Sequence, residues 1–200
     1  MPLKNAMHLA LLGMQAKACL ILGRHAAAQH VFDRMLQLAP ADAHALASSA
    51  HLLAARGDLH AAILKLQLLV DARPQDSSAH FNFAYVLQQG GHHVQAEVMF
   101  RKAVALDARL DRAWYGLGLT LMHAHRFEEA VAAFKHAGAL QPMSPHPWCR
   151  LAESWTALGR HEEAHKVLQH LATFEPKVAA RFSGRTDIAA VPSLAVHAAS

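Results

Sequence analysis

The residues best equipped for chemistry in this chain are its 17 histidines, and one stretch spaces two of them as metal ligands are spaced. His161-Glu162-Glu163-Ala164-His165 sets two imidazoles one helical turn apart with a carboxylate beside the first. That spacing can hold zinc through both rings while the glutamate serves as base. The same columns one repeat earlier read Phe127-Glu128-Glu129-Ala130-Val131, with no histidine at either end. The stretch is therefore an ordinary helix start, with Ala164 as a buried small residue and no third ligand or water site evident. The remaining histidines are scattered, His92-His93 and His123 and His125 falling near chain reversals. Cys19 and Cys149 stand at opposite ends of the chain without a CxxC pair, which predicts two free thiols rather than a disulfide framework or a metal site. There is no glycine-rich phosphate loop and no nucleophile elbow. No catalytic residue, no metal and no cofactor is expected, and the chain reads as a non-enzymatic protein.

The bulk composition narrows the partners. The chain is 53% hydrophobic and 17% charged, with only 6% aromatic residues, and its alanine-heavy, glycine-poor make-up favours helix. The formal charge is +4 with no run of Lys and Arg, whereas nucleic-acid binding needs basic residues concentrated on one face, so no nucleic-acid partner is expected. No apolar run reaches the roughly 18 residues that a membrane span requires. Ala6 to Met14, behind Lys4, has the look of a leader peptide. It contains His8, is followed by Lys17 and lacks a small-residue cleavage site, so it reads as the start of the first helix. Free thiols point to a cytoplasmic setting, with an exported or periplasmic form as the alternative.

The elements that must position any site follow from a period of 34 residues, with position 1 at residues 9, 43, 77, 111 and 145. Position 20 is Ala28, Ala62, Ala96, Ala130 and Ala164, and position 8 is Ala16, Ala50, Ala84, Gly118 and Ala152. Position 24 is large and apolar throughout, namely Phe32, Leu66, Phe100, Phe134 and Leu168. Small residues at 8 and 20 let two helix backbones approach, and the large ones fill the space beside that contact. Position 15 reads Gly23, Gly57, Gly91, His125 and Gly159, a left-handed stop between helices that glycine adopts without strain and histidine tolerates. Position 32 reads Pro40, Pro74, Ala108, Pro142 and Pro176, closing the second helix. Ser144 before Pro145 suits an N-cap followed by proline at the first helical position. Trp114, Trp148 and Trp155 fall in core columns, and so does His80.

These columns resemble the tetratricopeptide repeat family, with the fourth repeat the best match through Trp114, Leu117, Gly118, Leu121, Ala130, Phe134 and Pro142. Departures are His80 in an apolar column, Gln15 and Ser49 at position 7, and Ala108 in place of proline. The resemblance implies an all-α fold, a right-handed α-solenoid of antiparallel helix pairs. Its repeats are residues 9–42, 43–76, 77–110, 111–144 and 145–178, after an N-terminal lead-in over residues 1–8. Residues 177–182 are a candidate capping helix, and residues 183–200 a mobile tail.

Within each first helix, positions 2, 5, 9, 12 and 13 point away from the face that packs into the pair. The resemblance places that second stripe in a concave groove that holds a peptide or helix of another protein. Carried over position by position, with Asn82 and Arg150 added from the adjoining position 6, the candidate protein-binding residues are His51, Phe81, Asn82, Tyr85, Gln88, Arg112, Tyr115, His146 and Arg150. Phe81 and Tyr85 lie four apart on one helix, Tyr115 occupies the next repeat's equivalent of Phe81, and Asn82 and Arg112 flank them, a composition typical of interface hot spots. Some family members grip a partner's terminal carboxylate with a clamp of Lys, two Asn and a Lys/Arg pair. Here the clamp positions hold Ala47, His51, Asn82, Arg112 and Gly116, so only Asn82 and Arg112 match and no complete clamp is expected. The predicted role is that of a scaffold or adapter. The alternatives are a chaperone for a secreted client or the regulatory module of a transferase-type enzyme complex.

Overall fold

The computed structural model describes residues 3–183, and every regular element in them is a helix. In chain order these are α1 (Leu3–Ile21), α2 (His25–Leu38), α3 (Ala43–Ala55), α4 (Leu59–Ala72), α5 (Ser77–Gln89), α6 (His93–Leu106), α7 (Asp111–His123), α8 (Phe127–Leu140), α9 (Pro145–Ala157), α10 (His161–Ala172) and α11 (Pro176–Ser183). The all-α fold of paired helices implied by the repeat columns is the one the chain adopts. Two compact units divide it, one ending at Asp107 and one beginning at Ala108. In the first, α1 packs on α2, α3 on α4 and α5 on α6, with α2 against α3 and α4 against α5. In the second, α7 packs on α8 and α9 on α10, α8 meets α9, and α11 covers α10 and touches α9. The lead-in is itself helical from Leu3, and α11 includes the stretch anticipated as a cap. The anticipated tail lies outside the described residues, apart from Ser183.

Each turn between paired helices is built the same way. Gly23, Gly57, Gly91 and Gly159 have φ between 67° and 84°, and His125 has φ 57°, the one non-glycine residue with positive φ among the described residues. In every case the next residue's N–H donates to the carbonyl five positions back: Arg24 to Cys19, Asp58 to Leu53, His92 to Leu87, Arg126 to Leu121 and Arg160 to Trp155, all at 2.8–2.9 Å. This closes the helix end whose carbonyls would otherwise lack partners. Three helix starts are capped by aspartates that sequence reasoning passed over. The carboxylates of Asp42, Asp58 and Asp76 accept from the N–H groups of Ala45, Ala61 and Ala79 at 2.8–3.1 Å. Ser144 does occupy the N-cap of α9 with Pro145 following, but its hydroxyl makes no capping bond.

The core sits where the columns put it. Ala28, Ala62, Ala96, Ala130 and Ala164 are all 0% exposed, and Phe32, Phe100 and Phe134 are fully enclosed beside them. The departures are accommodated by specific partners. Buried Ser49 accepts from Gln29 Nε2 of α2 at 2.7 Å. His80 is buried with its Nε2–H donating to the Pro74 carbonyl at 2.9 Å. Trp114 and Trp148, at the same repeat position, reach the equivalent carbonyls of Ala108 and Pro142 through their indole N–H, also at 2.9 Å. His80 is thus a smaller ring performing the tryptophans' task, tying a first helix to the turn before it. Those two tryptophans are half-buried rather than core, because that bond draws the ring to the edge of the pair. Trp114 is stacked on His136 at 4.4 Å, and Trp148 meets His170 edge-on. Trp155 is buried and carries Lys135 and Arg160 over its ring at 5.1 and 5.3 Å.

Candidate protein-binding groove

The zinc-like motif resolves into a helix start. His161 is exposed at the head of α10, Ala164 is fully buried, and His165 turns inward, 2.9 Å from the side-chain nitrogen of Gln169. No group of three or more His, Cys, Asp or Glu among the described residues is placed to hold a metal ion. Both cysteines are free, Cys19 half-buried and Cys149 buried. Burial, with the Glu153 carboxylate nearby, pushes the Cys149 thiol up from 9.0 to about 11.

Three hollows lie on the first helices, and two of them, one in each unit, fall at equivalent repeat positions. In the first unit, one of about 300 Å³ lies between α3 and α5, walled by Ala47, Ser48, His51, Asn82, Tyr85 and Val86. A second, of about 390 Å³, lies between α1 and α3, with Leu9, Gly13, Met14 and Met35 as apolar walls and Lys17, Asp42 and His44 as polar ones. In the second unit, a hollow of about 170 Å³ gathers Arg112, Tyr115 and His146 with Ala137 and Pro147. Position 5 separates the two equivalent hollows: it is Gly13 in the larger and the Tyr115 ring in the smaller.

Six of the nine sequence-predicted residues therefore line hollows, three in each unit. Tyr85 is 49% exposed, a high value for so large a ring, and its hydroxyl accepts from Gln89 Nε2 at 3.0 Å. Phe81 is stacked on Tyr85 at 6.4 Å and tilted against enclosed Phe100 at 6.2 Å, so one aromatic supports the exposed one from beneath. Asn82 and His51 are exposed, and Gln88 is half-buried on α5. In the second unit Tyr115 is half-buried, its ring edge-on to Phe134 at 5.8 Å. Arg112 and His146 are exposed. Arg150 stands outside the hollow, paired with Glu153 at 2.6 Å. Its partial burial works against the charge, but hydrogen bonds to Glu153 and to the Tyr115 side chain outweigh it and hold the guanidinium above its usual pKa. Sequence reasoning missed Ser48 and Val86, which complete the α3–α5 wall, because a small or aliphatic lining residue has no distinctive chemistry.

A tetratricopeptide repeat profile matches residues 14–77 and 81–145, and a second profile of the same description matches residues 121–184. No curated protein matches the chain in sequence. Among solved structures, a MamA fragment from Desulfovibrio magneticus RS-1 superposes with a TM-score of 0.78 at 21% identity, over 84% of this chain and 96% of that one. YrrB, described as a TPR protein with an unusual peptide-binding site, gives 0.74 at 16% identity, over 85% and 88%. A thermophilic TPR protein of Thermus thermophilus gives 0.61 at 22% identity, over 88% and 97%. At these identities the likeness speaks to fold. Five left-handed stops, five buried alanines at one column and two profiles spanning most of the sequence agree, and the chain belongs to the tetratricopeptide repeat family.

Proposed function

We propose that this protein is a non-enzymatic scaffold that holds a peptide or helical segment of another protein along its first helices. The observation that carries the reading is the α3–α5 hollow, where exposed Tyr85 stacks on half-buried Phe81, itself against enclosed Phe100, beside an amide and an imidazole. A rigid aromatic with polar neighbours supplies contact area at low entropic cost and orients a bound backbone. The description of YrrB as a peptide-binding TPR protein supports the same use of this fold. Arg112 and His146 extend the polar surface within the second unit beside the half-buried Tyr115 ring. No helix among the described residues is long and apolar enough to cross a membrane.

The test is affinity capture of the partner by the parent chain, followed by titration with variants. Tyr85→Ala and Arg112→Ala should each weaken binding by about 2 kcal/mol, roughly thirtyfold in Kd, with helical content unchanged. Partner affinity equal to the parent's in both variants would remove the groove from consideration.

A further inference from the structure

The outer face of α1 is an interface without its other half. In the inner repeats, positions 3, 7 and 10 of the first helix are buried: Ala45, Ser49 and Leu52 in α3, Ala79, Phe83 and Val86 in α5, Ala113, Leu117 and Thr120 in α7, and Pro147, Leu151 and Ser154 in α9. The corresponding residues of α1, namely Leu11, Gln15 and Ala18, are all exposed. Helix α1 is also longer, at 19 residues against 13 for each of the other first helices, and the added turns bring in Met7. The exposed stripe reads Met7 (74% exposed), Leu11 (59%), Met14 (62%), Ala18 and Ile21 (85%). Its spacing of four, three, four and three is that of a coiled-coil seam, narrower than the apolar face of an ordinary surface helix, and such a seam calls for a partner helix.

We propose that the partner is α1 of a second copy, paired antiparallel to form a closed dimer. Placing the two-fold axis between Leu12 and Gly13 sets Leu11 against Met14 of the second copy and Met7 against its Ala18, large over small. None of the five stripe residues carries a charge and α1 contains no Asp or Glu, and Lys4 falls at the outer end of the seam, at the register position opposite Ile21 of the second copy. The flanking residues meet without like charges opposed: Lys17 faces Ala10 of the second copy, and His8 faces its Gln15. Self-pairing is favoured over a contact between α1 and the last described helix of another copy because that helix presents charge. Within the second unit α11 lies on α10 with Ala179 buried inward and Lys177 and Arg181 exposed, so among the described residues α11 offers cations rather than an uncharged seam, and a two-fold contact of α1 with itself closes. This pairing is independent of the groove reading.

Sedimentation equilibrium of the full chain over a concentration series tests it. The mass should rise to twice 21.8 kDa, and Leu11→Glu/Met14→Glu should stay at the single-chain mass with an unchanged helical spectrum. Leu64→Glu, an equivalent change on an exposed site of α4, should leave the doubling intact. A parent chain that stays monomeric, as it would if residues 184–200 or a foreign helix covered the seam, overturns the proposal. So does doubling that survives Leu11→Glu/Met14→Glu or that Leu64→Glu abolishes. Should the double variant lose its helical signal, disulfide capture in a Cys19→Ser background decides. Leu11→Cys mixed with Met14→Cys should cross-link faster than either alone, and equal rates overturn the pairing.

Discussion

Replacing Gly118 with alanine sets two effects of known sign against each other. Gly118 sits in the interior of α7, where alanine is favoured over glycine by roughly 0.5–1 kcal/mol on backbone entropy alone. A Cβ built there, however, would stand 2.5 Å from Cε1, 2.7 Å from Cζ and 2.8 Å from Cδ1 of Phe134. Ordinary contact begins at 3.4 Å, so the ring must retreat by about 0.9 Å, the difference between 3.4 and 2.5. Phe134 is fully enclosed, with the edge of Tyr115 against it, so that retreat must displace other core atoms. Overpacking of this kind costs about 1–3 kcal/mol, which exceeds the propensity gain, and the net loss should be about 1 kcal/mol. The same two positions hold Ala50 with Leu66 and Ala152 with Leu168, and also Ala16 with Phe32 and Ala84 with Phe100, all buried, so the conflict lies in where the Phe134 ring sits in this repeat, and a leucine there would relieve it. Gly118→Ala should therefore be less harmful in a Phe134→Leu background than in the parent. Urea unfolding followed by tryptophan fluorescence reports on this region, because all three tryptophans lie in the second unit. A Gly118→Ala chain more resistant to urea than the parent, or additive effects in the double variant, would refute the reasoning.

Other changes probe the turns, the tie bonds and the thiols. His125→Gly should stabilise the second unit by about 0.5–1 kcal/mol in the same titration, since φ 57° strains a side chain but not glycine; His125→Val should destabilise it. His80→Ala should cost about 2 kcal/mol, roughly half from the bond to the Pro74 carbonyl and half from lost burial. His80→Trp should recover part of that loss, because an indole N–H serves the same carbonyl position in the next two repeats. Iodoacetamide at neutral pH should modify Cys19 well before Cys149, whose thiol is both buried and held near 11. Because that value lies above the ordinary 9.0, the stability linked to Cys149 is fully present below pH 9 and lost as pH rises from 9 toward 11. Cys149→Ala should flatten that alkaline decline in melting temperature, and an unchanged decline would show that the thiol is not its source.

The repeat was legible in the sequence because its constraints are local and recur. Glycine or histidine at one column, alanine at another and a large apolar residue at a third each answer a steric demand that any single repeat displays. The aspartate caps were equally local but escaped notice, because Asp42 and Asp76 share a column that reads Leu110 and Ser144 in later repeats, and Asp58 belongs to a different turn. The shared bond of His80, Trp114 and Trp148 was hidden for another reason. Two of those residues match an apolar column, and only the geometry shows that the N–H matters as well as the ring. For the candidate site, periodicity picked residues of which six line hollows, but it could not distinguish an exposed Tyr85 from a half-buried Tyr115, since that depends on what the neighbouring helix brings.

The central claim, that the first-helix face holds a partner, is tested most directly by where cross-links form. A photo-reactive residue placed at exposed Asn82, beside the α3–α5 hollow, is compared with one at exposed Val94, the second residue of α6. Irradiation with the native partner present should join Asn82 to one continuous segment of that protein and leave Val94 unlinked. Capture from Val94 with none from Asn82 would place binding on the second helices and contradict the account.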